Sequence, residues 1–362
     1  MSTIELRGVT KHFGGFTAVK NVNLAVSAGE VVCLLGPSGC GKTTTLRIIA
    51  GLERASAGDV VIAGRRMTDL RPDQRDIAMV FQFYALYPAL TVRENIMFPL
   101  HVEGLDAQTN AERVARVARM LQLEPVLDRL PNHISEGEKQ RVAVARAVVR
   151  DPNCFLFDEP LSRLDVELRQ TMRGQIKSVL TGLSKATVIV THDQLEALTM
   201  ADRIAIMRDG VIEQIASPHE VFARPTTLFV ASFIGTPQMN LLTAQFDGVE
   251  GTHGRFTVDG QPIRLAVDPA VKRLAKGQVT IGIRPRAFIP EGAGSADTIA
   301  GRAELIEPMG AETLIHARTP LGSDLRVVVP REIKVKSGDA LSLRTDARET
   351  HVFDGSGKAV RT

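Results

Sequence analysis

The stretch VVCLLGPSGCGKTTTLRIIAGL constrains this chain more than any other. A run of buried-strand type (31–36) leads straight into GPSGCGKT (36–43), which fits G-x-x-x-x-G-K-[ST], and an apolar-periodic helix pattern follows. Glycines let consecutive backbone N–H groups curl around phosphate oxygens, and the start of the next helix adds partial positive charge. Lys42 supplies a full charge for the outer phosphates and Thr43 a hydroxyl for Mg²⁺. A strand, a glycine-rich turn and a helix in that order belong to a buried sheet with helices packed on it, an α/β domain.

Other runs repeat the theme. AMVFQ (78–82), CFLFDEP (154–160), TVIVTHD (187–193) and RIAIM (203–207) read as strands. In DVELRQTMRGQIKSVLTGL, Met172, Ile176, Val179, Leu180 and Leu183 share one helical face. CFLFDEP delivers Asp158 and Glu159 to a strand end, where Asp158 can hold Mg²⁺ through water and Glu159 can act as general base for an attacking water. The same pair capping the next helix is the alternative. His192, after TVIVT, can orient that water or donate to a γ-phosphate, although a lone strand-end histidine is more often structural. Gln82 can reach the metal or the water, and taken alone it is bland.

Residues from about 85 to 151 carry helical pattern and no convincing strand, so a helical insertion of about 85–155 is expected, ending at Asp151-Pro152. After GTPQMN the period becomes two: Val279, Ile281 and Ile283 alternate, as do Leu341 and Leu343, and LRVVVP is a further short strand. We expect an α/β P-loop ATPase domain at 1–235 and an all-β barrel domain at 236–362, with the boundary near Thr236.

The bulk numbers exclude several classes. At 362 residues the chain can build two cores, and no apolar run approaches the roughly 20 residues that span a bilayer. A net charge of +3 argues against a nucleic-acid partner. MSTIELRGVTKHFGG lacks the apolar centre of a secretory signal, and Cys33, Cys40 and Cys154, odd in number, suit neither a metal site nor a disulfide framework. The cytoplasm is the expected compartment. Cys40 sits inside the phosphate loop beside Lys42, where a cation and a helix start favour the thiolate; a small side chain that fits is the other reading.

These pieces in this order resemble the ATP-binding subunit of ABC transporters, and more narrowly the carbohydrate-uptake type typified by maltose and sn-glycerol-3-phosphate transporters. GPSGCGKT is similar to the Walker A loop, CFLFDEP to Walker B, Gln82 to the Q-loop, Asp165 in LSRLD to the D-loop and His192 to the switch histidine. Phe13 in KHFGG stands where the family stacks an aromatic on adenine. TPQMNLL, TIGIRPRAFIP and AELIEPMGAETLIHA resemble the oligosaccharide-binding-type (TOBE/MOP-like) regulatory barrel. The resemblance implies ATP and Mg²⁺ as cofactors, with Gly36, Pro37, Ser38, Gly39, Cys40, Gly41, Lys42, Thr43 and Thr44 on the phosphates. Thr43, Gln82 and Asp158 serve the metal, Glu159 is the base, and Gln82 and His192 complete the catalytic set.

It further implies a two-fold dimer in which Ser135 and Gly137 of one copy cover the other copy's nucleotide. Such a dimer drives two membrane permease subunits and a solute-binding protein from the cytoplasmic face of the inner membrane. The implied cargo is a sugar, polyol or glycerol-phosphate-like solute; sulfate, molybdate, iron or polyamine are the rival cargoes. A soluble ABC-type ATPase acting on DNA or ribosomes is disfavoured, because tandem ATPase domains and long coiled coils are absent. VFQFYALYPALTVRENI holds both tyrosines, Tyr84 and Tyr87, beside Phe81 and Phe83, a pattern of interface anchors or of a local core cluster.

HISEGEKQR departs from the family, which places glycine at 136 and glutamine at 138. Ser135 followed by Glu138 is also a capping box. Two like unit charges about 4 Å apart repel by roughly 4 kcal/mol at an effective dielectric of 20, so a carboxylate aimed at phosphate would harm the site. At a helix start each is instead favourable by about 0.3–1 kcal/mol. The expectation is a working, tuned loop, or one paired with a second, different ATPase chain. Arg163 replaces a small or amide residue in the D-loop, and Arg286 replaces a common glutamate.

Overall fold

Each apolar run becomes a strand in a computed structural model that describes residues 2–102, 104, 106–291, 297–345 and 349–361. The chain opens with β1 (Ser2–Phe13) and β2 (Phe16–Ser27), an antiparallel pair, followed by β3 (Val31–Leu35) and α1 (Lys42–Ala50). Next come β4 (Ala57–Ile62), β5 (Arg65–Arg66) and β6 (Ile77–Val80). The helical stretch contains α2 (Val92–Met97), α3 (Ala107–Met120) and α4 (Glu136–Val148), with no strand among the described residues between β6 and β7 (Cys154–Asp158). Then α5 (Val166–Leu183), β8 (Ala186–Thr191), α6 (Gln194–Met200), β9 (Arg203–Arg208) and β10 (Val211–Ala216) complete the first unit.

Two sheets form from these strands. One, in the order β2-β1-β4-β5, is antiparallel. The other runs β10-β9-β3-β8-β7-β6, parallel except at β10. Every residue of β3, β7 and β8 is buried, as strands covered on both faces must be. Ile4, Leu24 and Ile62 of the first sheet meet Leu34, Leu156 and Val188 of the second in one core, with Leu46 and Ile49 of α1 packed in it. On α5 the predicted face buries Met172, Ile176, Val179 and Leu180, while Leu183 is half-buried.

Arg75 is 2 % exposed and holds this core to α1. It donates to Ile48 O and Ile49 O in the last turn of α1 at 2.8 Å, to Leu70 O at 2.9 Å and to Thr68 O at 3.3 Å. Gly51 makes room for it: a Cβ there would lie 2.5 Å from Arg75 Nε.

The second compact unit covers residues 219–362. Its two antiparallel five-stranded sheets share one core, in which Val279, Ile281 and Ile283 are buried as their alternation requires, together with Leu341 and Leu343. The division between units falls at Pro218 and His219, ahead of the expected Thr236. The physical reason is Arg284, 4 % exposed. It donates to the carbonyls of Phe222, Ala231 and Ile234, and so ties α7 (Pro218–Ala223) and α8 (Leu228–Phe233) to the end of the strand Gly277–Ile283. Arg286, the departure from the family's glutamate, makes a two-pronged bond with Glu312 at 2.8 and 2.6 Å.

Candidate active site

Strand order assembles the site. β3, β8, β7 and β6 are consecutive neighbours, and the end of each strand or the loop after it carries one of the predicted groups: residues 36–41, His192, Asp158–Glu159 and Gln82. In open α/β sheets ligands bind beyond the carboxyl ends of the strands, which is where these four converge.

The phosphate loop is shaped by backbone that leaves no space for side chains. A Cβ on Gly36 would lie 2.3 Å from Met207 O, and one on Gly41 (φ 105°) 2.5 Å from Ala18 O. Gly39 (φ 78°) has nothing within 4 Å of its Cβ position, so its other side is open. Pro37, Ser38 and Gly39 are exposed at the rim, while Thr43 and Thr44 are half-buried at the start of α1. Lys42, 6 % exposed, donates to Gly36 O at 2.7 Å and Pro37 O at 2.9 Å, which holds its ammonium inside the loop.

Of the two readings of Cys40, burial favours the small side chain that fits: it is 4 % exposed, and burial pushes its thiol up, outweighing Lys42. Its Sγ would touch a Cβ on Gly36 at 2.7 Å, which makes it a packing residue beneath the loop.

Thr43 Oγ1 donates to Asp158 Oδ1 at 3.3 Å. Burial pushes the Asp158 carboxyl up, so a cation beside it would relieve a desolvated charge. Glu159 is held more tightly than its neighbour. Its backbone is left-handed (φ 48°), an unfavourable conformation for a side-chain-bearing residue, and its N–H donates to Val190 O at 2.9 Å. Gln82 Nε2 donates to its Oε2 at 2.8 Å, and His192 Nδ1 lies 3.3 Å from its Oε1. Strain of this kind collects at functional sites. The composition reading missed what steadies His192: Asp193 caps α6 and pairs with Arg169 at 3.1 Å, while buried Glu196 accepts from Thr191 at 2.7 Å.

Among the described residues no hydrogen bond joins residues 135–138 to 36–44 of the same chain. Ser135 caps α4, and the box is reciprocal: its N–H and Oγ donate to Glu138 Oε2 at 2.7 Å, and Glu138 N–H donates to its Oγ at 3.3 Å. Glu136 pairs with Lys139 at 2.6 Å. Burial pushes Glu138 up, but the Ser135 bonds hold its carboxyl below the ordinary range; Lys139 does the same for Glu136. Both carboxylates therefore have local partners. Gly137 is buried against Leu168, and Asp165 caps α5 by accepting from Leu168 N–H at 2.9 Å.

Phe13 is 47 % exposed beside the β1–β2 turn, with the Lys11 ammonium 4.7 Å over its ring. The aromatic segment divides: Phe81, Phe83 and Tyr87 are exposed, whereas Tyr84 is buried.

Comparison with known proteins gives one answer. Residues 19–162 match the ABC transporter family and residues 281–353 the TOBE domain. A lactose transport ATP-binding protein of Rhizobium radiobacter is 42% identical over 100% of both chains. An sn-glycerol-3-phosphate import ATP-binding protein of Escherichia coli (strain K12) is 44% identical over 98% of each. A solved dimer of the ATP-binding cassette MJ0796, in a post-hydrolysis state with ADP and Pi, superposes with a TM-score of 0.53 at 34% identity, covering 59% of this chain and 98% of that one. With a phosphate loop, a strained Glu159 and a β-rich second unit in family order, the chain belongs to the ATP-binding proteins of the ABC transporter family.

Proposed function

We propose that this chain is the ATP-hydrolysing subunit of an importer and that its cargo is a sugar, polyol or glycerol-phosphate-like solute. The convergence of four strand ends on one edge of the sheet carries the ATPase reading. The relatives named for lactose and sn-glycerol 3-phosphate support the cargo class.

Gly36, Gly39, Gly41, Lys42, Thr43 and Thr44 take the phosphates, with Pro37, Ser38 and Cys40 completing the loop and Phe13 against adenine. Glu159 accepts the proton of the attacking water, and Gln82 and His192 fix its carboxylate in place. Two oxygen donors 3.3 Å apart, with Asp158 desolvated, suit a hard cation. Mg²⁺ takes one or two protein oxygens and completes its shell with water and substrate phosphates. Thr43, Asp158 and the Gln82 carbonyl oxygen would hold it, and its charge neutralises the β- and γ-phosphate oxygens when bound.

Ser135, Gly137 and Asp165 act across a two-fold dimer, formed with a second copy or with a different ATPase chain. Among the described residues no helix is long and apolar enough to cross a membrane. Two permease subunits supply the crossing and a solute-binding protein the capture. The exposed Phe81, Phe83 and Tyr87 form the surface toward the permeases, at the cytoplasmic face of the inner membrane. The β-rich second unit serves regulation or dimerisation.

The test is Mg²⁺-dependent ATP hydrolysis by the purified full chain, then uptake in proteoliposomes with its permeases. Hydrolysis abolished by Lys42→Ala, with ATP-driven uptake of lactose or glycerol 3-phosphate, is the expected result. No hydrolysis overturns the ATPase reading. Hydrolysis coupled to sulfate or polyamine uptake alone overturns the cargo class only.

A further inference from the structure

Glu159 and His192 follow β7 and β8, and pairing of these two strands fixes the backbone beneath them. A second connection joins the two residues, and Arg169 near the start of α5 makes it. The turn between Glu159 and α5 is held to its origin. Ser162 donates to Glu159 O through its N–H at 3.3 Å and its hydroxyl at 3.1 Å, and Leu164 N–H donates to Leu161 O at 3.2 Å. Arg169 takes hold of the far end of that turn: its N–H donates to Asp165 O at 2.9 Å, and its Nη2 to Leu164 O at 3.0 Å.

The other arm of the guanidinium, Nη1, donates to Asp193 Oδ2 at 3.1 Å. Asp193 Oδ1 caps α6, accepting from Leu195 N–H at 2.8 Å and Glu196 N–H at 3.1 Å, and the Asp193 N–H donates to Thr191 Oγ1 at 3.0 Å. The Glu196 carboxylate, 3 % exposed, accepts from the Thr191 hydroxyl at 2.7 Å and lies 3.9 Å from Arg169 Nε. Both sequence neighbours of His192 are therefore engaged by the same network. The connections close into a ring: from Glu159 along the turn to Leu164, through the guanidinium to Asp193, and from His192 back to Glu159 Oε1 at 3.3 Å. Arginine suits this place because its rigid fork serves a carbonyl and a carboxylate at once, which the single ammonium of a lysine does not.

We propose that Arg169 is a positioning residue for hydrolysis: with Asp193 it clamps the His192 loop to the turn that follows Glu159, and so sets the imidazole against the carboxylate of the base. The inference deepens the reading above, in which Glu159 takes the proton and His192 fixes its carboxylate, and rests on it.

Variants of the full chain test it, read by single-turnover ATP hydrolysis with enzyme in excess and by equilibrium ATP binding. Asp193→Asn is the cleaner change, because an amide oxygen still caps α6 while the charge facing Arg169 is gone. Arg169→Met and Asp193→Asn should each slow hydrolysis about ten-fold and leave ATP affinity within two-fold of the parent. The variant carrying both should be no slower than the slower single variant, the non-additivity of groups that act as one. Arg169→Lys, which keeps the charge without the fork, should stay at least three-fold below the parent. In a His192→Ala chain, Arg169→Met should cost less than two-fold, because the residue that it positions is gone; a merely structural role would cost the same ten-fold in both chains. A parental rate in Arg169→Met or Arg169→Lys, a combined loss equal to the product of the single losses, or an undiminished cost in the His192→Ala chain overturns the clamp and leaves the role of His192 standing. A His192→Ala chain that hydrolyses at the parental rate overturns that role first, and the clamp with it.

Discussion

The side-chain amide of Gln82 donates to the carboxylate of Glu159 at 2.8 Å, a bond between residues 77 apart in sequence. It exists because β6 and β7 are adjacent parallel strands, so their following loops meet. His192 Nδ1 lies 3.3 Å from the other oxygen, so both carboxylate oxygens have a neighbour. A general base contributes typically 10²–10⁴-fold, so Glu159→Gln should lower kcat by about that factor while ATP affinity stays within two-fold. Gln82→Ala, which leaves the base but frees it, should cost about ten-fold. Single-turnover hydrolysis and equilibrium nucleotide binding, measured on the same samples, separate the two effects.

Asp158 presents a trade between stability and function. Burial raises its carboxyl pKa, which means that its ionised form at neutral pH costs folding free energy. Asp158→Asn removes the charge and keeps an oxygen for the Thr43 hydroxyl, now 3.3 Å away. The free chain should melt roughly 2–4 °C higher, the shift that about 1 kcal/mol makes in a domain of this size. On the proposed role of Asp158 toward Mg²⁺, hydrolysis should fall about 100-fold. Calorimetry without nucleotide, set beside the ATPase rate, reads both.

How much of this was legible beforehand depended on how local the signal is. The phosphate loop, Asp158 and Glu159 sit at strand ends within unbroken apolar runs, so their elements could be read directly. The six-residue β8 is likewise continuous, which placed His192. Arg75 left no trace, because its four acceptors are backbone carbonyls on two other segments and any residue type can supply a carbonyl. Arg284 escaped for the same reason, and with it the division of the chain at Pro218 rather than Thr236. For Cys40 both readings stood open, because adjacency to Lys42 is visible in sequence whereas its burial beneath Gly36 is not.

Arg75 ought therefore to be among the most sensitive positions in the first unit. Arg75→Met keeps the apolar stem and removes every donor, leaving the Ile48, Ile49, Leu70 and Thr68 carbonyls buried without it. An unmet buried polar group costs about 1–3 kcal/mol, so the expected destabilisation is about 3–5 kcal/mol even if some acceptors recruit water. Denaturant unfolding should show a lower midpoint at unchanged slope. Because α1 begins at Lys42, ATP affinity should fall as well, by more than the unfolded fraction alone explains.

The second unit should carry its own acid sensitivity at His351. Burial, together with the charges of Arg284 and Arg361, pushes its ring from 6.5 down to about 4. The folded state therefore binds fewer protons than the unfolded state between those values, and stability falls as pH falls. The contribution is complete above about pH 6.5 and is lost progressively down to about pH 4, where the folded ring also begins to charge. Between pH 7 and pH 5 the linkage amounts to about 2 kcal/mol. His351→Gln, which cannot titrate, should remove that slope while the acid response of carboxylates such as Asp354, held low by its Ser356 bonds, persists in both chains below pH 4.5. Urea midpoints of parent and variant at pH 7 and pH 5 measure it: equal pH responses in the two chains would mean that the ring is protonated as readily folded as unfolded, and that the burial of His351 has no energetic consequence.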